Sequence, residues 1–337
     1  MTFKPRTLSV APMIDWTDRH CRRFHRAISQ HTWVYTEMIT TGALVFGDRK
    51  RFLAFNEEEH PVAFQVGGSD PDHLGQCAKW IEQAGYDELN LNVGCPSERV
   101  QKGSFGACLM AEPDLVADCV KAMRDNCQLE VTVKHRIGLD YDETETMLYD
   151  FVGKVSEAGC QTFIVHARNA VLKGLSPKEN RDIPPLRYEV VKRLKQHFPS
   201  LQFILNGGIT TIEEIQAHLQ WADGCMIGRE AYSNPWLLAR FDEIIAEKEG
   251  FELGNTAEQA KTRFDVIDEL RSYAHQQLSQ GESIRNITKS WLGLFHGQAG
   301  GRLYRQVLSD STLLKANNWQ VVEDALAKMA KHASPMQ

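Results

Sequence analysis

Eight short β-rich runs recur over the first two-thirds of the chain, and nearly every one ends on a polar residue. The runs are LSVAPM (8–13), WVYTEM (33–38), VAFQVGG (62–68), ELNLNVGCP (88–96), VTVKHRIG (131–138), TFIVHAR (162–168), FILNGG (203–208) and GCMIGR (224–229). Amphipathic segments such as DPDHLGQCAKWIEQAG and DLVADCVKAMRDN separate them, with Asp70, Asp114 and Thr211 as expected N-caps. Parallel strands need crossover helices of this kind. Eight such units in about 230 residues predict an α/β fold of the TIM (β/α)8 barrel type. An open doubly wound sheet is the alternative, but its early G-x-G-x-x-G is missing.

Beyond Arg229 no strand pattern follows. Asn234-Pro235 opens a helix, and Thr256-Ala-Glu-Gln259 has the form of a capping box ahead of FDVIDELRSYAHQQL, which keeps helical spacing up to Gly281. SIRNITKSWLGLF and VVEDALAKMAKH obey the same rule. The expected organisation is a barrel over residues 1–240 and a smaller all-helical C-terminal domain over 241–337.

With 42% hydrophobic and 24% charged residues and a mean hydropathy of -0.37, the chain reads as globular and soluble. MTFKPRTLSV has no apolar signal core, and no run approaches the ~18 apolar residues of a membrane span. A cytoplasmic monomer is expected. The net charge of -6 argues against a dedicated nucleic-acid binder, yet it is unevenly spread. Residues 281–306 (Arg285, Lys289, Arg302, Arg305) and 167–187 (Arg168, Lys173, Lys178, Arg181, Arg187) each carry net +3, which leaves -12 on the remainder. Such a distribution fits either a polyanion held at one face or ordinary solvated loops.

The polar strand ends are Glu37, Gln65, Asn90 with Asn92, Lys134 with Arg136, His166, Asn206 and Arg229. In barrels of this type the C-terminal strand ends carry the active site. Asn206-Gly207-Gly208 and Gly228-Arg229 close the last two runs, where glycine N–H groups and an arginine suit a phosphate. Lys134 could stabilise negative charge on an electron-accepting ring or serve in an ion pair. His166 could equally make a structural hydrogen bond. Cys95, between Gly94 and Pro96, is open to four readings: core filler, half of a disulfide, metal ligand or catalytic thiol. The eight cysteines contain no C-x-x-C pair, which disfavours zinc ribbons and redox pairs.

Taken together, APM (11–13), FQVGG (64–68), LNVGCPS (91–97), VKHRIG (133–138), VHAR (165–168), NGGI (206–209) and MIGR (226–229) resemble the tRNA-dihydrouridine synthase family. APMIDWTDRHCR (11–22) and GSFGACLM (103–110) are similar to its bacterial A subfamily. The resemblance implies FMN on the barrel and a tRNA-binding helical tail. It implies that Pro12, Met13 and Ile14 line the flavin, that Gln65, Lys134 and His166 bond its ring and ribityl chain, and that Asn206, Gly207, Gly208, Gly228 and Arg229 hold its phosphate. Asn92 would contact the target uracil, Arg136 its carbonyl edge, and Cys95 matches the proton donor. The implied substrate is uridine 20 or 20a in the tRNA D-loop, with NADPH re-reducing the flavin.

The residue types suit that chemistry independently. Hydride addition at C6 of uracil leaves an enolate, and a thiol of ordinary pKa ~8.5 is protonated at neutral pH yet acidic enough to protonate C5. No metal is required. A base buried in tRNA must be extruded to reach a barrel mouth. The long segment ARNAVLKGLSPKENRDIPP exceeds a usual connection and is a functional loop or a lid over the flavin. Its Lys178 and Arg181, with Arg302 and Arg305 of the tail, are candidate phosphate contacts. Two rivals remain: a flavin barrel acting on a free pyrimidine or a small enone, which leaves the basic tail without purpose, and an RNA-binding barrel without chemistry, which leaves the flavin residues without purpose.

Overall fold

The run ELNLNV alternates strictly. In the computed structural model, which describes residues 5–97, 100, 103–142, 144–253 and 261–333, it forms a six-residue strand buried at every position. Period-two geometry sends Leu89, Leu91 and Val93 outward under the helical layer and turns Glu88, Asn90 and Asn92 into the barrel. The polar face is therefore the interior one.

Nine strands occur among the described residues: β1 (Leu8–Val10), β2 (Val34–Tyr35), β3 (Ile39–Thr40), β4 (Val62–Gly67), β5 (Glu88–Val93), β6 (Glu130–Arg136), β7 (Thr162–His166), β8 (Gln202–Asn206) and β9 (Gly224–Ile227). All pair in parallel in the order β1-β9-β8-β7-β6-β5-β4-β2, with β3 also on β4. Val10 N donates to Trp33 O at 2.8 Å and Trp33 N to Leu8 O at 3.1 Å, which closes the circle between β1 and β2. All eight expected strands are present. The second is split, because Tyr35 faces Ala63 whereas Ile39 faces Val66, so one extra residue bulges out. Within that bulge the Thr36 hydroxyl accepts the Gln65 N–H at 2.9 Å, standing in for a strand carbonyl.

The crossover helices are Pro71–Ala84, Pro113–Asn126, Thr146–Glu157, Tyr188–His197 and Ile212–His218. Asp70 caps the first by accepting from His73 N, and Thr211 with Glu214 forms a capping box on the last. Asp114 does not cap. Pro113 starts its helix one residue earlier, and the Asp114 carboxylate pairs with Lys154 at 2.9 Å.

Contacts divide the chain into two units, Met1–Ile14 with Trp33–Gly228, and Asp15–Thr32 with Arg229–Gln337. The second is helical and takes in the segment that follows β1. Its helix Arg19–Ile28 is tied there by His20 Nδ1 to the Tyr273 hydroxyl at 2.6 Å and by Arg23 to Glu269 at 3.1 Å. Pro235–Arg240 opens at Asn234 as expected. The capping box at Thr256–Gln259 lies outside the described residues, and the helix Arg263–Ser279 opens on Thr262 with Asp265. No helix is long and apolar enough to cross a membrane, among the described residues.

The base of the barrel is sealed by charge. Arg6, buried, bonds Glu88 and pairs with Glu130 at 2.6 Å, and its guanidinium stacks over Trp33. Burial disfavours the Arg6 cation, but Glu88, Tyr35 and Glu130 outweigh it and hold the guanidinium charged. Burial raises the Glu88 carboxyl, and Arg6 opposes that rise. Removing one partner of such a pair strands the other. Arg6→Met should cost about 3–5 kcal/mol in urea unfolding, and Arg6→Met with Glu88→Met should cost less than Arg6→Met alone. A double variant at least as damaged as the single would contradict this pairing.

Candidate active site

A continuous line of hydrogen bonds runs from that sealed base to the barrel mouth. The Thr132 hydroxyl donates to Glu88 Oε1, Asn90 Nδ2 to Thr132 Oγ1 at 2.7 Å, Gln65 Nε2 to Asn90 Oδ1 at 2.7 Å, and Asn92 Nδ2 to Gln65 Oε1 at 2.9 Å. Asn92 Oδ1 in turn accepts from the N–H groups of Gly94 and Cys95 at 3.1 and 3.0 Å. Those two bonds make the turn after β5, and Cys95 stands on it.

The remaining main-chain groups of the turn are also engaged. Cys95 O accepts from Ala107 N at 2.9 Å, in the GSFGACLM segment, and Gly94 O accepts from Arg136 Nε at 3.2 Å. The Cys95 thiol lies 3.6 Å from Ser97 Oγ and is half-buried. All eight cysteines are free, and six of them are buried; only Cys95 and Cys108 keep some exposure. The disulfide reading of Cys95 is excluded, and no metal-holding group of His, Cys, Asp or Glu occurs among the described residues.

Around the mouth the register places Asn92 beside Lys134, Arg136 beside His166 and His166 beside Asn206. Lys134 Nζ donates to Asn206 Oδ1 at 3.0 Å, and Asn206 Nδ2 to Met226 O at 2.8 Å. Gly207 has φ +112°, and a Cβ there would lie 2.7 Å from the His166 ring, so the ring and the turn both require glycine. Gly228 differs. A Cβ there would meet only Ala11 Cβ at 4.0 Å, so protein packing leaves space beside the end of β1. Pro12 and Met13 follow Ala11 half-buried, and Ile14 is exposed. Arg229, next in the chain, opens the helix Arg229–Ser233.

Positive charge is concentrated here. Burial lowers the Lys134 pKa to about 7, and Arg136 adds repulsion. Burial likewise lowers Arg136 to about 10, with Arg181 and Arg168 repelling it. A cluster of desolvated cations is an anion-seeking field. Lys134 is thus hydrogen-bonded to an amide and makes no carboxylate pair among the described residues.

The loop after β7 is closed on itself. Asn180, fully buried, accepts from Val171 N at 2.8 Å and donates to Val171 O at 2.9 Å, while Lys178 and Arg181 beside it are exposed. Asn169 and Asn180 carry this closure and gave no signal in the sequence beyond their place in an overlong connection. In the helical unit, Arg302 and Arg305 share the exposed face of the helix Gly301–Ser309. Lys289, from the same basic stretch, is neutralised by Asp18 at 2.7 Å.

Residues 9–331 match the family model for dihydrouridine synthase. The chain belongs to the dihydrouridine synthase family. A protein of Pseudomonas aeruginosa named tRNA-dihydrouridine(20/20a) synthase is 53% identical over 325 residues, covering 96% of both chains. Proteins of the same name from Vibrio parahaemolyticus (52%, covering 96% of this chain and 97% of that one) and Synechocystis sp. (51%, covering 95% and 93%) are also similar. Among solved structures, morphinone reductase matches with TM-score 0.50 at 14% identity, covering 75% of this chain and 88% of its own, a likeness of fold. A dihydrouridine synthase is an oxidoreductase.

The Lys134 pKa has a measurable consequence. Between about pH 7 and the ordinary 10.5 the unfolded chain keeps a proton that the folded one has lost, so this group makes stability rise with pH across that window. In cofactor-free protein, Lys134→Met should flatten the rise in Tm from about pH 7.5 to about pH 9.5 relative to the unsubstituted chain. Parallel pH profiles would contradict the depressed pKa.

Proposed function

We propose that this enzyme reduces the C5=C6 bond of uridines 20 and 20a in the tRNA D-loop to 5,6-dihydrouridine, with FMN bound at the barrel mouth and NADPH as electron donor, acting as a cytoplasmic monomer. The observation that supports it most is the Cys95 turn: a partly exposed thiol whose flanking main chain is held on all sides, next to a desolvated lysine.

The residues present suit FMN. Pro12, Met13 and Ile14 would line it, Gln65, Lys134 and His166 would bond its ring and ribityl chain, and Asn206, Gly207, Gly208, Gly228 and Arg229 would hold its phosphate. Space beside Gly228 that no protein atom fills suits a close phosphate approach. Reduced FMN, when bound, supplies the hydride taken by uracil C6.

The chain's own part begins with extrusion of the uridine into the mouth. Asn92 spends Oδ1 on the turn and one N–H on Gln65, so its second N–H is the one available to a uracil oxygen. Negative charge that develops on the ring is met by the Lys134 and Arg136 field. Cys95 then gives its proton to C5, and the thiolate left behind lies close enough to Lys134 and Arg136 to favour their charged forms. Lys178 and Arg181 on the closed loop, and Arg302 and Arg305 on the helical tail, are the proposed phosphate contacts. The tail, residues 241–337, is the proposed tRNA-binding domain and residues 1–240 the catalytic one.

Nucleoside analysis of tRNA from a strain lacking the gene should show dihydrouridine lost at positions 20 and 20a and regained when the protein is restored. Cys95→Ala should bind FMN normally yet lower product formation at least ~100-fold, as loss of a general acid does. A fully active Cys95→Ala protein would exclude this thiol. Arg302→Ala with Arg305→Ala should reduce the slope of log K against log [salt] for tRNA binding by about 1.5–2. An unchanged slope would place the RNA elsewhere.

A further inference from the structure

Arg136 ends β6, yet it is 5% exposed, and its guanidinium is directed at main chain. Nε donates to Gly94 O at 3.2 Å, and Nη1 donates to Asn169 O at 3.2 Å and to Asn180 O at 2.9 Å. These carbonyls belong to two different loops. Gly94 immediately precedes Cys95. Asn180 lies between Lys178 and Arg181, in the short 3-10 turn Glu179–Arg181.

The same residues extend the assembly to a third loop. Asn169 Nδ2 donates to Asp140 O at 3.1 Å and Asp142 O at 2.8 Å, and Leu172 N donates to Asp140 Oδ1 at 2.8 Å. Asp140 N bonds Ala170 O at 2.7 Å. Asn180 Nδ2 also reaches Leu175 O and Ser176 O, both at 3.3 Å. Among the described residues, hydrogen bonds thus join the connections after β5, β6 and β7, with the Arg136 guanidinium bridging the first and the third.

Only arginine suits that junction. Its planar fork presents five N–H groups in fixed directions, whereas an ammonium offers a compact point charge. Among the described residues no carboxylate pairs with Arg136, so neutral carbonyls alone satisfy a buried positive charge. A thiolate on Cys95 would favour its charged form.

On the reading that the enzyme reduces tRNA uridines, we propose that Arg136 is a positioning residue, which sets the Cys95 turn and couples it to the loop that presents Lys178 and Arg181 to the RNA. Seating of phosphates on the loop then bears, through Asn180 O and the guanidinium, on the carbonyl next to the proton donor. The coupling is reciprocal, since a displaced turn must in turn disturb the loop. This role replaces a direct contact of Arg136 with the uracil carbonyl edge.

The test uses FMN-loaded full-length enzyme and three variants: Arg136→Lys, Asn180→Ala and the double. Flavin absorbance and Tm report folding. Arg136→Lys should lower kcat about ten-fold or more with KM for tRNA within about two-fold, as a misplaced catalytic group does. Without tRNA, it should also change the rate of Cys95 alkylation by iodoacetamide several-fold. Asn180→Ala, remote from the thiol, should change the same two quantities, and the double variant should lose less than the product of the two single effects. A raised KM with unchanged kcat and unchanged alkylation would overturn the proposal in favour of direct RNA contact. Should Asn180→Ala fail to fold, the kcat, KM and alkylation values of Arg136→Lys decide alone. Alkylation is read without substrate, so an enzyme that made no dihydrouridine would refute the function while the clasp was still tested.

Discussion

Arg6, Tyr35 and Thr132 all donate to the Glu88 carboxyl oxygens, so Glu88 accepts at the base, and that restriction propagates up β4, β5 and β6 to the mouth. Because Glu88 accepts, Thr132 must donate its only proton downward and can only accept from above. Asn90 must therefore turn its amide nitrogen to Thr132 and its oxygen to Gln65. The same choice is forced on Gln65 and then on Asn92. At the top, Asn92 is left with its oxygen facing the N–H groups of Gly94 and Cys95. An orientation set by one buried hydrogen-bond acceptor at the base thus decides the shape of the turn that holds the thiol. Buried networks of this kind are stiff because every alternative leaves a group unsatisfied.

Charge is arranged to suit this column. The base holds one buried arginine bonded to two glutamates, Glu88 and Glu130. The mouth holds Lys134 and Arg136, both desolvated, with Arg168 and Arg181 repelling Arg136 from more open positions, an arrangement that favours an anionic ligand. An overall charge of -6 conceals both ends. The negative sign belongs to the body of the protein, and the mouth carries a local excess of the opposite sign.

The barrel was legible because strand and helix periods differ, and eight units repeat them. The second strand was read as continuous over 33–38, since a one-residue bulge alters register without altering hydrophobic pattern. Asp114 looked like a cap because helix starts favour aspartate, but Pro113 fixes the first turn one residue earlier. The mouth residues were legible as polar interruptions of apolar strands. Their partners were not: Thr132 looks unexceptional in sequence, and only the β5–β6 register sets it beside Asn90, where it links Asn90 to Glu88. Asn180 was invisible for the same reason, as its bonds close a loop of ten residues and meet an arginine 44 positions away.

The central claim is that a thiol held rigidly on one side of the mouth protonates uracil C5. Its most direct test is the stereochemistry of the product made in deuterium oxide. Delivery from Cys95 places solvent deuterium on a single face of C5 in the dihydrouridine. Deuterium found on both faces of C5 would mean that protonation comes from free water, and the account given for the Cys95 turn would be wrong.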